Sequence, residues 1–152
     1  MKEISIYLLS SSSPVAKNMK CSFCLLYNDK EIIKTIDINR EGSVLEAEYI
    51  TLIFIFDKLI KKQKIKKLTE VNIFTNNLTV AMQIEGKYKV NSNKLTELYK
   101  KFKELSSDYQ VHSQYLDKQT IKEKINNDEQ YYSEKEIRKI LNEIDSEESI
   151  WK

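Results

Sequence analysis

Residues 71–105, VNIFTNNLTVAMQIEGKYKVNSNKLTELYKKFKEL, decide how this chain is read. The stretch opens as a strand, VNIF, and closes that strand on a polar turn, Thr75-Asn76-Asn77. A short apolar helix over about 78–84 follows. Gly86, an extended Lys87-Tyr88-Lys89 and a second helix over 93–105 come next. Leu95, Leu98, Tyr99 and Phe102 recur at helical spacing and give that second helix one apolar face.

Three strand-like runs precede the stretch: 3–9, 20–28 and 31–38, rich in Ile and Leu. A serine-rich loop over 10–18, holding the single Pro, separates the first two. Asn28-Asp29-Lys30 is a hairpin turn between the second and third. These runs form a meander. Gly42-Ser43 then introduces a long helix over 44–62, with Ser43 and Glu46 spaced as a capping box. Its apolar residues run almost all the way round, which predicts burial on most sides against a sheet. A fifth strand over 109–116 follows the second helix of the deciding stretch. The element order is β-β-β-α-β-α-α-β, followed by helix.

The tail, 117–152, repeats the capping-box spacing at Ser133 and Glu136 and carries a stripe of Ile137, Ile140, Leu141 and Ile144. That predicts a docked helix. The last residues hold three acids and Trp151, a segment suited to pinning the tail to the body or to a protein partner.

At 152 residues the chain fits one domain. Basic and acidic residues are balanced, 25 to 23, so overall charge gives no reason to expect nucleic-acid binding. Any such binding needs a local basic face. With only two Gly, the chain has no glycine-rich phosphate loop or dinucleotide fingerprint. Cys21 and Cys24 lie three apart in a strand and so point to opposite faces, poorly placed to share a metal or a disulfide. They read as two small core residues. No run of 18 apolar residues suggests a transmembrane helix, and the N-terminal residues lack a signal-peptide pattern. The expectation is a cytoplasmic protein without membrane contact.

The order of elements, Glu46-Ala47-Glu48-Tyr49 early in the central helix, and Gln83-Ile84-Glu85-Gly86-Lys87-Tyr88-Lys89 resemble the ribonuclease H family. The resemblance covers residues 3–116. It implies an α/β fold with a five-stranded mixed sheet, order 3-2-1-4-5, flanked by helices. It also implies a ribonuclease H-like core over 1–116 and a C-terminal helical extension over 117–152. The family's hydrolysis gathers four carboxylates around two magnesium ions, which are hard cations that take charged oxygen ligands. Glu48 matches the family's glutamate. Ser10 or Ser11 stands where the first acid belongs, and Asn76 stands at the aspartate of the family's Thr-Asp-Ser turn. Asp117 and Asp128 are candidates for the fourth acid. His112, the only His, lies within the fifth strand rather than after it, so it reads as a surface residue.

The resemblance implies a catalytically degenerate protein that binds RNA–DNA hybrid or structured nucleic acid and needs no cofactor. Mg²⁺ or Mn²⁺ would enter only in a residual nuclease using Glu48. The alternative is a protein-interaction module on the same fold. Two basic sets are candidates for nucleic-acid contact. One is the end of the central helix and its connector, Lys58 to Lys67, with Lys61 and Lys62 at its centre. The other is Lys87, Tyr88, Lys89, Asn91 and Asn93. If both face one side, a shallow groove of hybrid width results.

Overall fold

The computed structural model describes residues 3–13, 15 and 17–125, and the backbone of residues 130–131. Strands β1 (Glu3–Ser13), β2 (Asn18–Tyr27) and β3 (Lys30–Ile38) form the expected antiparallel meander. Asn28 makes the two-residue β2–β3 turn with φ of 56°, a left-handed conformation that Asn tolerates better than most residues. Helix α1 (Val44–Phe54) returns the chain across the sheet. Strand β4 (Glu70–Thr75) then pairs parallel to β1, and β5 (Gln110–Tyr115) pairs parallel to β4. Helices α2 (Leu78–Ile84) and α3 (Asn93–Ser106) lie between β4 and β5, and α4 (Lys118–Lys124) follows β5. The five expected strands stand in the expected order. A two-residue strand, β6 (Gln130–Tyr131), extends the sheet beyond β3.

Two boundaries differ from the sequence reading in ways that matter. The serine run is not a loop. Ser10 to Ser13 continue β1, paired in register with Cys21 to Asn18. The antiparallel ladder is made by backbone groups, so it overrides the weak strand preference of serine. Strand alternation then carries Ile4, Ile6, Leu8 and Ser10 along one face, the face covered by α1. The second difference is in the long helix. It runs unbroken past Phe54 but widens into a π-helical segment over Ile55–Ile60. There the Lys61 N–H donates to the Phe56 carbonyl, five residues back, at 3.1 Å. No feature of the sequence signals that wider turn.

The main core lies between the sheet and the layer of α1, α2 and α3. Every residue of α1 from Ala47 to Phe54 is buried, as its all-round apolar pattern requires. Ile4, Ile6, Leu8, Met19, Phe23, Ile36, Val71 and Ile73 supply the sheet side. Aromatic edges join the layers: Phe56 meets Phe102 at 5.6 Å and Tyr109 at 5.9 Å between ring centroids. On the other face of the sheet, Cys24 and Ile33 are covered by Ile121 and by Ile125 just past α4. Cys21 and Cys24 therefore belong to separate cores on opposite faces, both free and buried. Of the proposed C-terminal extension, α4 packs on the core. The helix at Ser133, the acidic end and Trp151 lie outside the described residues.

The capping box at the start of α1 is half made. Ser43 Oγ accepts from the Glu46 N–H at 3.1 Å. The reciprocal bond from Glu46 is not made, and among the described residues its buried Oε2 has no partner. That oxygen sits over Gly42, 3.0 Å from where a Cβ would stand.

Candidate functional site

The C-terminal ends of the parallel strands β1 and β4 meet the first turns of α1. Three side chains from this meeting point converge on one carboxylate. Ser10 reaches α1 because it shares a face of β1 with Leu8. Thr75 does so because it shares a face of β4 with Val71 and Ile73. Glu48 presents its carboxylate to both and is fully buried. Ser10 Oγ donates to Glu48 Oε2 at 2.6 Å, Asn77 Nδ2 donates to the same oxygen at 2.5 Å, and Thr75 Oγ1 donates to Oε1. Thr75 Oγ1 also accepts from the Asn77 N–H at 3.0 Å, which folds the bend back over the strand end.

Asn77 stands at the N-cap of α2, where an Asn side chain would ordinarily cap the helix. It makes no such bond and turns to Glu48 instead. Asn76 lies half-buried in the bend. The Asn77 N–H to Thr75 bond brings residue 77, not 76, over the carboxylate. Alternation along β4 was the signal that places Thr75 on the core face. Nothing in the sequence singles out Asn77 over Asn76.

Burial raises the Glu48 carboxyl above its ordinary value, and the bonds from Ser10, Thr75 and Asn77 pull it partway back. Directly beside this site, burial and the Glu48 charge also push the Cys21 thiol up.

A two-metal centre needs several charged oxygens facing one point. Here three groups that face Glu48 donate hydrogen atoms to it, and none of the three carries charge. Among the described residues no cluster of three or more His, Cys, Asp or Glu could hold a metal ion. Asp117 is spent locally: it caps α4, accepting from the Thr120 N–H at 3.0 Å and from Thr120 Oγ1 at 2.6 Å. Those bonds lower its pKa. Asp128 lies outside the described residues. Among the described residues, the groups that face Glu48 do not supply the charged oxygens such a pair takes. His112 is exposed, beside Asn72 in the β4–β5 register and on the opposite strand face from Val111 and Ser113.

A groove of about 770 Å³ opens beside this site, between the start of α1, helix α2 and the segment 87–92. Lys87, Tyr88, Lys89 and Asn91 line one wall, with Ser43, Glu46, Thr79 and Gln83 on the others. The segment lies outside any helix or strand, bends at Lys87 and Tyr88, and is held on its inner side. Gly86, at φ of 81°, makes the turn into it. The Lys87 and Tyr88 N–H groups both donate to the Met82 carbonyl, at 2.8 and 3.2 Å. Ser92 caps α3 by accepting from the Leu95 N–H at 3.1 Å. Lys87, Tyr88, Lys89 and Asn91 stay exposed.

The other basic set does not join this groove. Lys61 and Lys62 follow the far end of the α1–π run, about 25 Å along the helix from Ser43 at a rise of 1.5 Å per residue. Gln63 beside them contacts Lys30 in the β2–β3 turn region, at 3.4 Å. Lys58 pairs with Asp57 at 3.2 Å and Lys67 with Asp108 at 3.9 Å. Lys61 and Lys62 are not among the residues that line the groove.

No protein-family model matches the sequence, and no curated protein matches it. Solved structures do. An RNase H1 called LC11, crystallised in complex with an RNA/DNA hybrid, is 19% identical with a TM-score of 0.65, covering 80% of this chain and 90% of that one. The N-terminal RNase H domain of rv2228c from Mycobacterium tuberculosis, solved as a fusion with maltose-binding protein, is 18% identical with a TM-score of 0.61. That match covers 78% of this chain and 90% of the other. RNase H1 from the halophilic archaeon Halobacterium salinarum is 17% identical with a TM-score of 0.61, covering 78% and 89%. The fold is ribonuclease H-like. No helix among the described residues is long and apolar enough to cross a membrane.

Proposed function

We propose that this chain is a catalytically degenerate ribonuclease H-like protein that binds RNA–DNA hybrid or structured nucleic acid through the groove walled by residues 87–91. The observation that carries the reading is the pairing of two features on one fold. An open groove is walled by Lys87, Tyr88, Lys89 and Asn91, and the carboxylate beside it is held by three neutral donors. Lysines supply phosphate contacts, Asn supplies contacts to sugar hydroxyls, and the half-exposed Tyr88 ring supplies a stacking face. Glu48, Ser10 and Asn76 are remnants of the hydrolytic site, with Glu48 now a structural tie.

The test is fluorescence anisotropy of a labelled RNA–DNA hybrid at low and physiological salt, beside duplex DNA and duplex RNA. The expected result is salt-sensitive binding that differs among the duplex types, with no cleavage in Mg²⁺ or Mn²⁺. Absence of binding at low salt overturns the reading of the groove. Mn²⁺-dependent cleavage that Glu48→Gln abolishes overturns the reading of the site as degenerate.

A further inference from the structure

Gln83 is almost fully buried, yet it lines the groove and carries four hydrogen-bonding positions on one amide. Its Oε1 accepts from the Tyr49 hydroxyl at 2.9 Å, a buried bond between α1 and α2. The Lys89 carbonyl can only accept, and this sets which end of the amide is which. The Nε2 end is left facing the segment 87–92 and donates to the Lys89 carbonyl at 3.5 Å. The backbone on either side is tied as well: the Tyr99 hydroxyl donates to the Gln83 carbonyl at 3.4 Å, and Thr96 Oγ1 to the Val90 carbonyl at 3.4 Å. The ring of Tyr49 is itself braced edge-on by Tyr99 and Phe102.

We infer that Gln83 is the positioning residue of the groove: it transmits the fixed place of Tyr49 in α1 to the backbone of Lys89, and so sets where Lys87, Tyr88 and Lys89 present their side chains. The inference deepens the proposed nucleic-acid role and rests on it for its binding consequence. A wall built of irregular chain, outside any helix or sheet, would otherwise depend on the two N–H bonds to the Met82 carbonyl. A buried amide held by Tyr49 adds a further, longer contact at the third residue of that wall. Gln83 touches the wall through its backbone and is not assigned contact with a ligand.

Two variants separate this role from simple packing. Gln83→Glu keeps the acceptor for Tyr49 but removes the donor to Lys89. Gln83→Met removes both with little change of volume. Amide hydrogen exchange at Lys87 and Tyr88, compared with amides in β1 and β2, is the readout a merely structural role would not move selectively. In both variants exchange at Lys87 and Tyr88 is expected to quicken by about tenfold relative to the sheet, the worth of one buried hydrogen bond. Hybrid affinity is expected to fall with it. The inference is overturned if those two amides keep native protection, or lose it only in step with the sheet. If the native chain binds no hybrid, the proposed function fails, while the exchange data still decide the role of Gln83.

Discussion

The Ser10 hydroxyl donates to Glu48 across 2.6 Å, joining β1 to the first turns of α1. A serine fits there because it supplies a proton to the carboxylate. An aspartate would face it with like charge. The three donors around Glu48 come from β1, β4 and the bend before α2, so the buried carboxylate ties three elements to the central helix.

Removing one donor leaves a buried acceptor short of a partner. Ser10→Ala is expected to lower unfolding stability by roughly 1–3 kcal/mol, read from urea denaturation. Ser10→Asp combined with Asn77→Asp replaces two of the neutral donors with acids against Glu48. That variant is expected to melt below the native chain without metal and to regain melting temperature on adding Mn²⁺, while the native chain gains none. An equal gain by the native chain would count against Glu48 being held by neutral donors alone.

Stability should follow the titration of Glu48. Its folded-state pKa lies above the ordinary 4.5 because burial disfavours the charge more than the three donors favour it. A carboxyl that binds its proton more tightly when folded contributes stability fully present below the unfolded pKa. That contribution is lost as pH rises through the folded pKa. Glu48→Gln has no such titration. The stability of the native chain relative to Glu48→Gln is therefore expected to fall as pH rises above about 4.5. A difference that stays flat, or rises with pH, would refute the direction of this shift.

Much of this arrangement was legible in the residues. Periodicity located β1 to β5 and α1 to α3 but not α4, and the all-round apolar pattern of 44–54 foretold its burial. The 87–91 segment stood out as polar and aromatic between two helices. The pieces that were not legible depend on tertiary partners. Ser10 to Ser13 look like loop until β2 supplies a ladder. Asn77 outcompetes Asn76 for Glu48 only because its backbone bonds Thr75. Gln83 shares the buried face of α2 with Val80, which marks it as inward but not as the partner of Tyr49. The separation of Lys61 and Lys62 from Lys87 and Lys89 is set by helix length, which the sequence does contain, yet the folded path of the chain is needed to see it.

Both cysteines should be inert in the folded protein. Burial pushes the Cys24 thiol up to about 11, with the Glu31 charge adding to it and Lys124 opposing it. Cys21 is raised by burial and by Glu48. Thiolate is the reactive form, so neither is available near neutral pH. A chromogenic disulfide reagent at pH 7 is expected to react with neither thiol in native buffer and with both after denaturation. Fast native labelling of one would mean that its sheet face opens.

The two lysine pairs give opposite expectations for nucleic-acid binding. Lys87 and Lys89 wall the groove, and each phosphate they neutralise releases counterions. Replacing both with Ala should reduce the slope of log K against log salt by about 0.9 per lost contact on duplex DNA. Lys61 and Lys62 stand about 25 Å along the helix from the groove, so a hybrid shorter than that distance does not reach both sets. With such a short hybrid, Lys61→Ala/Lys62→Ala is expected to leave both affinity and salt slope near native values. Lengthening the hybrid separates a second contact from none: if Lys61 and Lys62 take part at all, their loss matters only for the longer duplex. Equal effects of the two double variants on the short hybrid would move the binding site away from residues 87–91.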